Sequence, residues 1–535
     1  MPRGFDITLK SSYFNHLAFG SLAVSIYFMK KPVYFFILLG FSLFTGPCLY
    51  GQNTTAKMDG VFNEQFRNGL LTGNLLIARQ GKIIYQKSFG FQDIANQVQN
   101  TAASAFALAS VSKQFTSTAV LQLKEKGKLR LGDPLIKYFP DFPFPNITIR
   151  HLLTHTSGLP DYELFDALIE KEPGRIFTNH DIIPALKIWK NGLLFKPGDS
   201  WSYSNMNYCL LALLIEKLSS ETLQNYLAKN IFKPTGMQHT YLENKLIKHQ
   251  NPDRTVNYEY PTYYTSTIMN VDSMADEHRM IFNLGGFSGQ GGLTSTSEDM
   301  LRFDNAFFAG MLISAADLEE ALAPVKLNDG TAAKAKDGFG NMGACGYGFG
   351  WFTLNDTTKG KIVLHDGGRP GISTIHLHNL RTDQTIILLA NVAGNVNDLA
   401  VSAYHLLNGE PAPGLRIPLI YTYARALVNE GVDVATVKLQ YLRDNPLYQM
   451  PDNRMWVQLG YQLLFQKAEY KPLGVEAFKT ASLLFPDDWY VTQGFAAALE
   501  QAGKKDLAIL MYKKCILLNP RADYAAGRLR ELEAK

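Results

Sequence analysis

Cysteine is scarce and scattered. The four cysteines, Cys48, Cys209, Cys345 and Cys515, stand far apart, so they imply neither a disulfide framework nor a cysteine-based metal site. Charge is sparse as well. Charged residues make up 19% of the chain and the net charge is +4, with no dense Lys/Arg stripe, which excludes nucleic acid as a partner on electrostatic grounds. No apolar run reaches the ~20 residues that a membrane-spanning helix needs. A G-x-S-x-G nucleophile turn is also absent, because Ser288 is followed by Gly289 and Gln290. Eleven histidines are scattered; His376 and His378 would share one face of a strand and read as packing residues rather than metal ligands. What is there is ordinary globular material: 535 residues, 46% hydrophobic, enough for two to four domains at roughly 100–200 residues each.

The N-terminus has the order of an export signal. Met29, Lys30 and Lys31 form a short basic start, Val33 to Phe44 runs apolar, and small or polar residues follow from Thr45 to Gln52. Translation is expected to begin at Met29, and cleavage near Gly51 or Gln52. Residues 1–52 are thus read as an export segment, the protein as periplasmic or secreted, and membrane contact as confined to that segment, which would anchor the protein if it were retained.

Strand signals lie at both ends of the next 350 residues. Asn74 to Ala78 and Lys82 to Lys87 are apolar-rich runs joined at Gln80-Gly81, a hairpin pattern. Later runs, Tyr347 to Leu354, Lys361 to Leu364, Ser373 to Leu380 and Gln384 to Asn391, are β-rich and separated by turn residues. Between them the pattern predicts helices over Ala109 to Lys126 and Tyr208 to Leu218. This order suggests an antiparallel sheet whose first and last strands meet, flanked by helices. Leu406 to Gly414, with Pro411 and Pro413, reads as a linker. Beyond it the chain is helical. Pro486 and Pro520 stand 34 residues apart, and at the same offset Gly474, Phe478 and Ala481 meet Ala508, Tyr512 and Cys515. Period 34 with small-large-small spacing resembles the second helix of a tetratricopeptide (TPR) repeat. The expected domains are 57–408 and 415–535, the latter a candidate protein-binding surface.

Three elements carry chemistry. Ser110-Val111-Ser112-Lys113 is an S-x-x-K at a helix start, where residues i and i+3 share a face, so the hydroxyl and the amine can meet. A lysine serves as a base only if burial or nearby positive charge lowers its pKa toward neutrality. Tyr203-Ser204-Asn205 offers a phenol that can relay a proton and an amide that can hold a substrate amide. His365-Asp366-Gly367-Gly368 ends a late strand and enters a glycine-rich turn, where backbone N–H groups can grip a carbonyl oxygen.

In this order the three elements resemble the motifs of serine β-lactamases and penicillin-binding proteins, specifically the class C β-lactamase, DD-peptidase and esterase group. The resemblance runs from about Gly73 to Asn391 and takes in RHLLTHTSGLP (Arg150 to Pro160), KNIFKPTGM (Lys229 to Met237), GGLTSTSEDM (Gly291 to Met300) and YGFGW (Tyr347 to Trp351). It implies an α/β fold of the β-lactamase/transpeptidase type with an antiparallel sheet flanked by helices, followed here by an all-α, TPR-like domain. It implies Ser110 as nucleophile, Lys113 with Tyr203 as the base pair, and Asn205 on the substrate amide. The N–H groups of Ser110 and Gly368 would form the oxyanion hole. His365 stands where the family usually has Lys, so His365, Gly367 and Gly368 would line the substrate side. The reaction implied is cleavage of an ester or amide (a small ester, a D-amino-acid peptide or a β-lactam) through an acyl-enzyme, with no metal and no organic cofactor.

The rival reading is a non-catalytic binder of peptide or cell-wall fragments, against which the intact set of Ser110, Lys113 and Tyr203 weighs. Gly198-Asp199-Ser200 resembles another esterase's nucleophile block but has no Asp-x-x-His partner. His151 and His155 read as loop braces. The cluster Tyr258, Tyr260, Tyr263 and Tyr264 either lines the substrate cleft or packs its own loop. The tail, lacking all three motifs, is expected to be dispensable for chemistry on a small ester.

Overall fold

The computed structural model describes residues 46–534 apart from 248–249, 275–278, 337–338, 340–341, 357–358, 414–415 and 521. The segment 1–52 expected to direct export, and its expected start at Met29, therefore fall outside the described residues, save for the last few. The chain forms two units, Met1–Asn53 and Thr54–Lys535, and both the sheet and the helical tail belong to the second. Among the described residues no helix is long and apolar enough to cross a membrane.

After helix α1 (Gly46–Arg67), strands β1 (Gly73–Arg79) and β2 (Lys82–Phe89) make the expected hairpin. Gln80 and Gly81 both have positive φ (51° and 70°), the conformation a two-residue loop needs to match strand twist. Helices α2 (Lys113–Glu125), α3 (Asn205–Ser219) and α4 (Ser297–Phe308) occupy the middle of the chain. Then come β3 (Gly346–Tyr347), β4 (Phe352–Asp356), β5 (Gly360–Arg369), β6 (Ile372–Asn379), β7 (Gln384–Ala390) and helix α5 (Val396–Leu407). The seven strands form one sheet in the order β3-β4-β5-β6-β7-β1-β2. The sheet's first and last strands in chain order do meet: β1 pairs antiparallel with β7, from Gly73 opposite Ala390 to Arg79 opposite Gln384.

Alternation explains the layers. Along β1 and β7, Leu76, Ala78, Ile387 and Leu389 enter a core shared with α2, α3 and α4. Their neighbours Leu75, Ile77, Ile386 and Leu388 enter a second core against α1 and α5. With both faces covered, the central strands are apolar on both sides, as period-two geometry requires.

Three sequence expectations shift. The first residues of the long helix, Ala109–Ser112, form a 3₁₀ turn, and the α-helix begins only at Lys113. The cause is Ala109, held at φ 46° where the chain swings in from a short strand. The run Tyr347 to Leu354 is two strands, because Gly350 (φ 79°) turns the chain so tightly that a Cβ there would lie 3.0 Å from the Lys113 carbonyl. His365 to Gly368 is not a turn; β5 continues through it, with Gly367 opposite Thr374 and Gly368 opposite Ser373.

The tail comprises α6 (Leu419–Asn429), α7 (Val432–Leu442), α8 (Asn453–Gln466), α9 (Lys471–Leu484), α10 (Trp489–Gln501), α11 (Lys505–Leu518) and α12 (Asp523–Glu533). Helices α9 and α11 have equal length, and both ends are offset by the 34 residues seen in the sequence. The small positions exist for close approach: a Cβ on Gly460 or Gly494 would sit 2.3 Å from the ring of Phe478, which is clasped between α8 and α10.

Candidate active site

Ser110 sits in the 3₁₀ turn, half-buried, while Lys113 three residues on is fully buried. In a 3₁₀ turn positions i and i+3 eclipse, which brings the two side chains together. The Lys113 ammonium nitrogen donates to Ser110 Oγ at 3.1 Å, to Asn205 Oδ1 at 2.8 Å and to the Gln290 carbonyl at 2.7 Å. Its three donors are thus aimed at three neutral oxygens, and no carboxylate touches it. Burial penalises the ammonium form and lowers the pKa from 10.5 to about 7, against the weaker pull of Asp161 and Asp366.

Tyr203 completes this cluster. Its ring lies 4.8 Å from the Lys113 nitrogen, and its hydroxyl lies near enough to Ser110 to feel that side chain. Burial raises its pKa well above 10, so it is a neutral phenol. The ring is backed by His155 at a centroid distance of 4.3 Å. His155 is fully buried and held in a left-handed conformation (φ 58°), which lets it act twice. Its carbonyl accepts from the Ser202 N–H at 3.0 Å, and its Nδ1 accepts from the Ser204 N–H at 3.2 Å and from the Asn207 amide at 3.1 Å. The residues on either side of Tyr203 are therefore pinned to one histidine. Burial keeps His155 neutral, in line with an accepting Nδ1.

Asn205 is oriented by a residue that none of the three motifs contains. Asp161 accepts from the Asn205 backbone N–H at 2.7 Å and from its side-chain amide at 3.0 Å, which turns Oδ1 toward Lys113. One amide hydrogen of Asn205 is left for a ligand. Burial raises the Asp161 pKa to about 6. Its position just after the T-S-G-L-P run is visible in the sequence, but nothing there joins it to Asn205, 44 residues away.

The third element closes the site from the sheet. A Cβ on Gly367 would lie 2.4 Å from the Leu108 carbonyl and 3.1 Å from the Ser110 nitrogen, so only glycine lets β5 lie against the serine turn. Thr374 of β6 fixes the same turn by donating to the Leu108 carbonyl at 2.8 Å. Gly368, by contrast, faces open space.

His365 departs from its expected role of contacting substrate. Its Nδ1 lies 2.6 Å from the Asp366 carbonyl, which can only accept, so Nδ1 carries the proton. Its Nε2 then accepts from the Tyr347 hydroxyl at 3.1 Å. Both ring nitrogens are spent inside the protein, the ring is buried, and burial holds its pKa below the usual value. His365 therefore supports the pocket wall behind Tyr203, 6.4 Å from that ring, and offers no N–H outward. The Asp366 carboxylate points the other way, to Lys336 at 2.9 Å and Asn397 at 3.0 Å.

The remaining candidates lie elsewhere. Ser288 is bonded to Asn179. His151 forms a helix cap with Thr148. His376 and His378 share a face, as expected, and close on buried Asp304 at 2.8 and 3.2 Å. His376 also meets Gln114, beside Lys113, at 2.8 Å. Among the described residues no group of His, Cys, Asp and Glu could hold a metal ion.

The family model described as Beta-lactamase matches residues 54–409. The chain belongs to that family. Penicillin-binding protein 4* of Bacillus subtilis is 34% identical over 366 residues, covering 67% of this chain and 77% of that protein. The putative penicillin-binding protein PbpX of the same organism is 30% identical over 342 residues, 63% and 76% of the two chains. Among solved structures, an octameric penicillin-binding protein homologue from Pyrococcus abyssi superposes with a TM-score of 0.57 at 23% identity, over 67% of this chain and 78% of that one. A D-amino acid amidase from Ochrobactrum anthropi gives 0.55 at 22% identity, over 67% and 99%. These two likenesses show the fold, a β-lactamase and penicillin-binding-protein sheet flanked by helices. The helical tail lies beyond the family match.

Proposed function

We propose that the chain is an exported serine acyl hydrolase with Ser110 as its nucleophile. The observation that carries this is the buried Lys113 amine, 3.1 Å from Ser110 Oγ, with its pKa lowered to about 7. Near neutral pH a large share of Lys113 is the free amine, which can take the Ser110 proton as Oγ attacks a carbonyl carbon. The neutral phenol of Tyr203 is suited to pass a proton to the departing alcohol or amine rather than to act as the base. The N–H groups of Ser110 and Gly368 would hold the oxyanion. Water then attacks the acyl-enzyme by the same relay, regenerating Ser110 and releasing the acid.

The substrate class proposed is an uncharged ester or a peptide, not a β-lactam turned over efficiently. A carboxylate-bearing drug gains most from a nearby cation, and the neutral His365 supplies none. Slow acylation by penicillins is compatible with the resemblance to penicillin-binding proteins. The tail is proposed as a TPR-like binding surface, and export rests on the N-terminal sequence pattern.

Intact mass spectrometry after exposure to a fluorophosphonate, a short-chain p-nitrophenyl ester and a chromogenic cephalosporin tests the proposal. A single adduct on Ser110, lost in Ser110→Ala, and kcat/KM highest for the ester are expected. An adduct on Ser200 or Ser288 would remove the assignment, and cephalosporin turnover near the diffusional ceiling would reverse the substrate preference.

A further inference from the structure

Strand β5 ends at Arg369, two residues past Gly367 and so roughly 7 Å along the strand from the serine turn. Arg369 and Pro370 open into a groove of about 1440 Å³. One wall is the segment Glu259–Tyr263. The other is helix α8 and the start of α10, which belong to the tail and lie outside the family match. At this size the groove exceeds the ~300–1,000 Å³ of a small-molecule pocket. We infer that it is a binding site for an extended acidic peptide, the part of the substrate remote from the scissile bond; this rests on the acyl-hydrolase reading above.

Three observations select that ligand. First, α8 already binds peptide. Gln458, Gln462 and Gln466 form a stripe at i, i+4 and i+8, and the protein's own Tyr263–Tyr264 lies on it. Gln462 accepts from the Tyr263 backbone N–H at 3.1 Å, and Gln458 and Gln466 accept from the two tyrosine hydroxyls at 2.7 and 2.6 Å. The face that already holds one stretch of chain, a turn closed by the Thr265 N–H on the Thr262 carbonyl at 3.3 Å, is continuous with the open groove. Second, the carboxylates at the groove are consumed, while one of its cations has no ion pair among the described residues and another only a long one at the surface. Glu259 accepts from the Gly371 N–H at 2.9 Å, and Asp488 caps α10 and accepts from Asn453 at 2.6 Å. Arg454 is exposed and makes no ion pair among the described residues, while exposed Lys467 has only a long surface ion pair with Glu469 at 3.8 Å and lies 5.2 Å over the Tyr470 ring. Third, aromatic area is left uncovered: Trp489 and Tyr490 are each 39% exposed at the groove. Aromatic anchors beside exposed, at most weakly paired cations suit a chain that carries both apolar groups and carboxylates.

The test uses the full-length protein and the double variant Arg454→Glu/Lys467→Glu, whose exposed positions leave the core untouched. Fluorescence anisotropy with a fluorescein-labelled Glu/Ala hexapeptide reads binding, with a Gln/Ala hexapeptide and an uncharged chito-oligosaccharide as competitors. Expected are saturable binding of the acidic peptide, at least tenfold weaker in the double variant, and poor competition by both neutral ligands. Hydrolysis of a p-nitrophenyl ester should be the same in both proteins. No binding, equal competition by the Gln peptide, preference for the oligosaccharide, or an unchanged affinity in the double variant would each overturn the site. Ester turnover is read separately, so peptide binding without it would count against the hydrolase reading and leave the groove standing.

Discussion

At the scale of single residues, the site works by withholding counter-charge. A lysine surrounded by a hydroxyl, an amide oxygen and a backbone carbonyl has hydrogen bonds but no anion, so burial prevails and its pKa falls to about 7. Because the base form is the neutral amine, kcat/KM for a small ester should rise with pH through about 7 and level off above it. A stopped-flow pH profile on intact protein checks this; a flat profile from pH 5 to 9 would mean Lys113 is not the base. Lys113→Ala and Tyr203→Phe should each lower turnover ~10²–10⁴-fold with circular dichroism unchanged. His155 touches no reacting atom and acts by position. His155→Ala should reduce kcat about 10²-fold with KM little changed, since displacing Tyr203 by even 1 Å costs that much. The alkaline-rising limb should keep its midpoint near 7, a result that simple unfolding would not give.

At the scale of elements, three pieces from distant parts of the chain are fitted to one turn. The serine turn is approached by the β5 backbone, tied by Thr374 of β6, and backed by the turn at Gly350. Glycine at 367 is a steric requirement, because a Cβ there would meet the Leu108 carbonyl and the Ser110 nitrogen, backbone atoms that cannot swing away, as well as Thr374 Oγ1, which is itself tied to Leu108. Gly367→Ala should push β5 off the turn, displace the Gly368 N–H and cost ~10²–10³-fold in kcat, the worth of one oxyanion donor. Fluorophosphonate labelling should slow in step, while thermal unfolding stays cooperative. Labelling at the wild-type rate would show that β5 does not contribute to the oxyanion hole.

At the scale of the molecule, the tail is more than an appendage. The tyrosine cluster divides between two tasks. Tyr258 fastens its loop to a distant part of the catalytic domain, taking an N–H from Ile94 and donating to Asp93. Tyr260, Tyr263 and Tyr264 meet tail residues, including Tyr421 at 6.3 and 5.2 Å and Tyr470 at 5.5 Å. Arg425 of the tail also donates to the Thr265 carbonyl. Glu259, next in line, is bonded at the rim of the catalytic sheet through Gly371. A protein ending near Gly409 should therefore keep ester hydrolysis within about tenfold but unfold several degrees lower, since each 1 kcal/mol lost shifts Tm by roughly 2–4 °C at this size. Differential scanning calorimetry beside an ester assay separates the two effects. Complete loss of ester turnover in a cooperatively folded truncation would mean that the tail completes the site.

Short-range chemistry was readable from the sequence. The S-x-x-K spacing brings Ser110 to Lys113 in any helical turn, Gln80-Gly81 closes a hairpin, and the 34-residue offset returns as two helices of equal length. These follow from local geometry, which a few adjacent residues determine. What Lys113 and His365 became was decided only by packing. The fall of one lysine's pKa comes from burial under residues far along the chain, among them Gln290, 177 residues away, and Asn205, 92 away and oriented by Asp161. His365 looked like a substrate contact because its position in the motif says nothing of which way its nitrogens are spent. Tyr347 and the Asp366 carbonyl took both. Burial, and the direction in which a buried group's hydrogen bonds run, belong to the assembled fold, because they depend on atoms that chain order does not bring together.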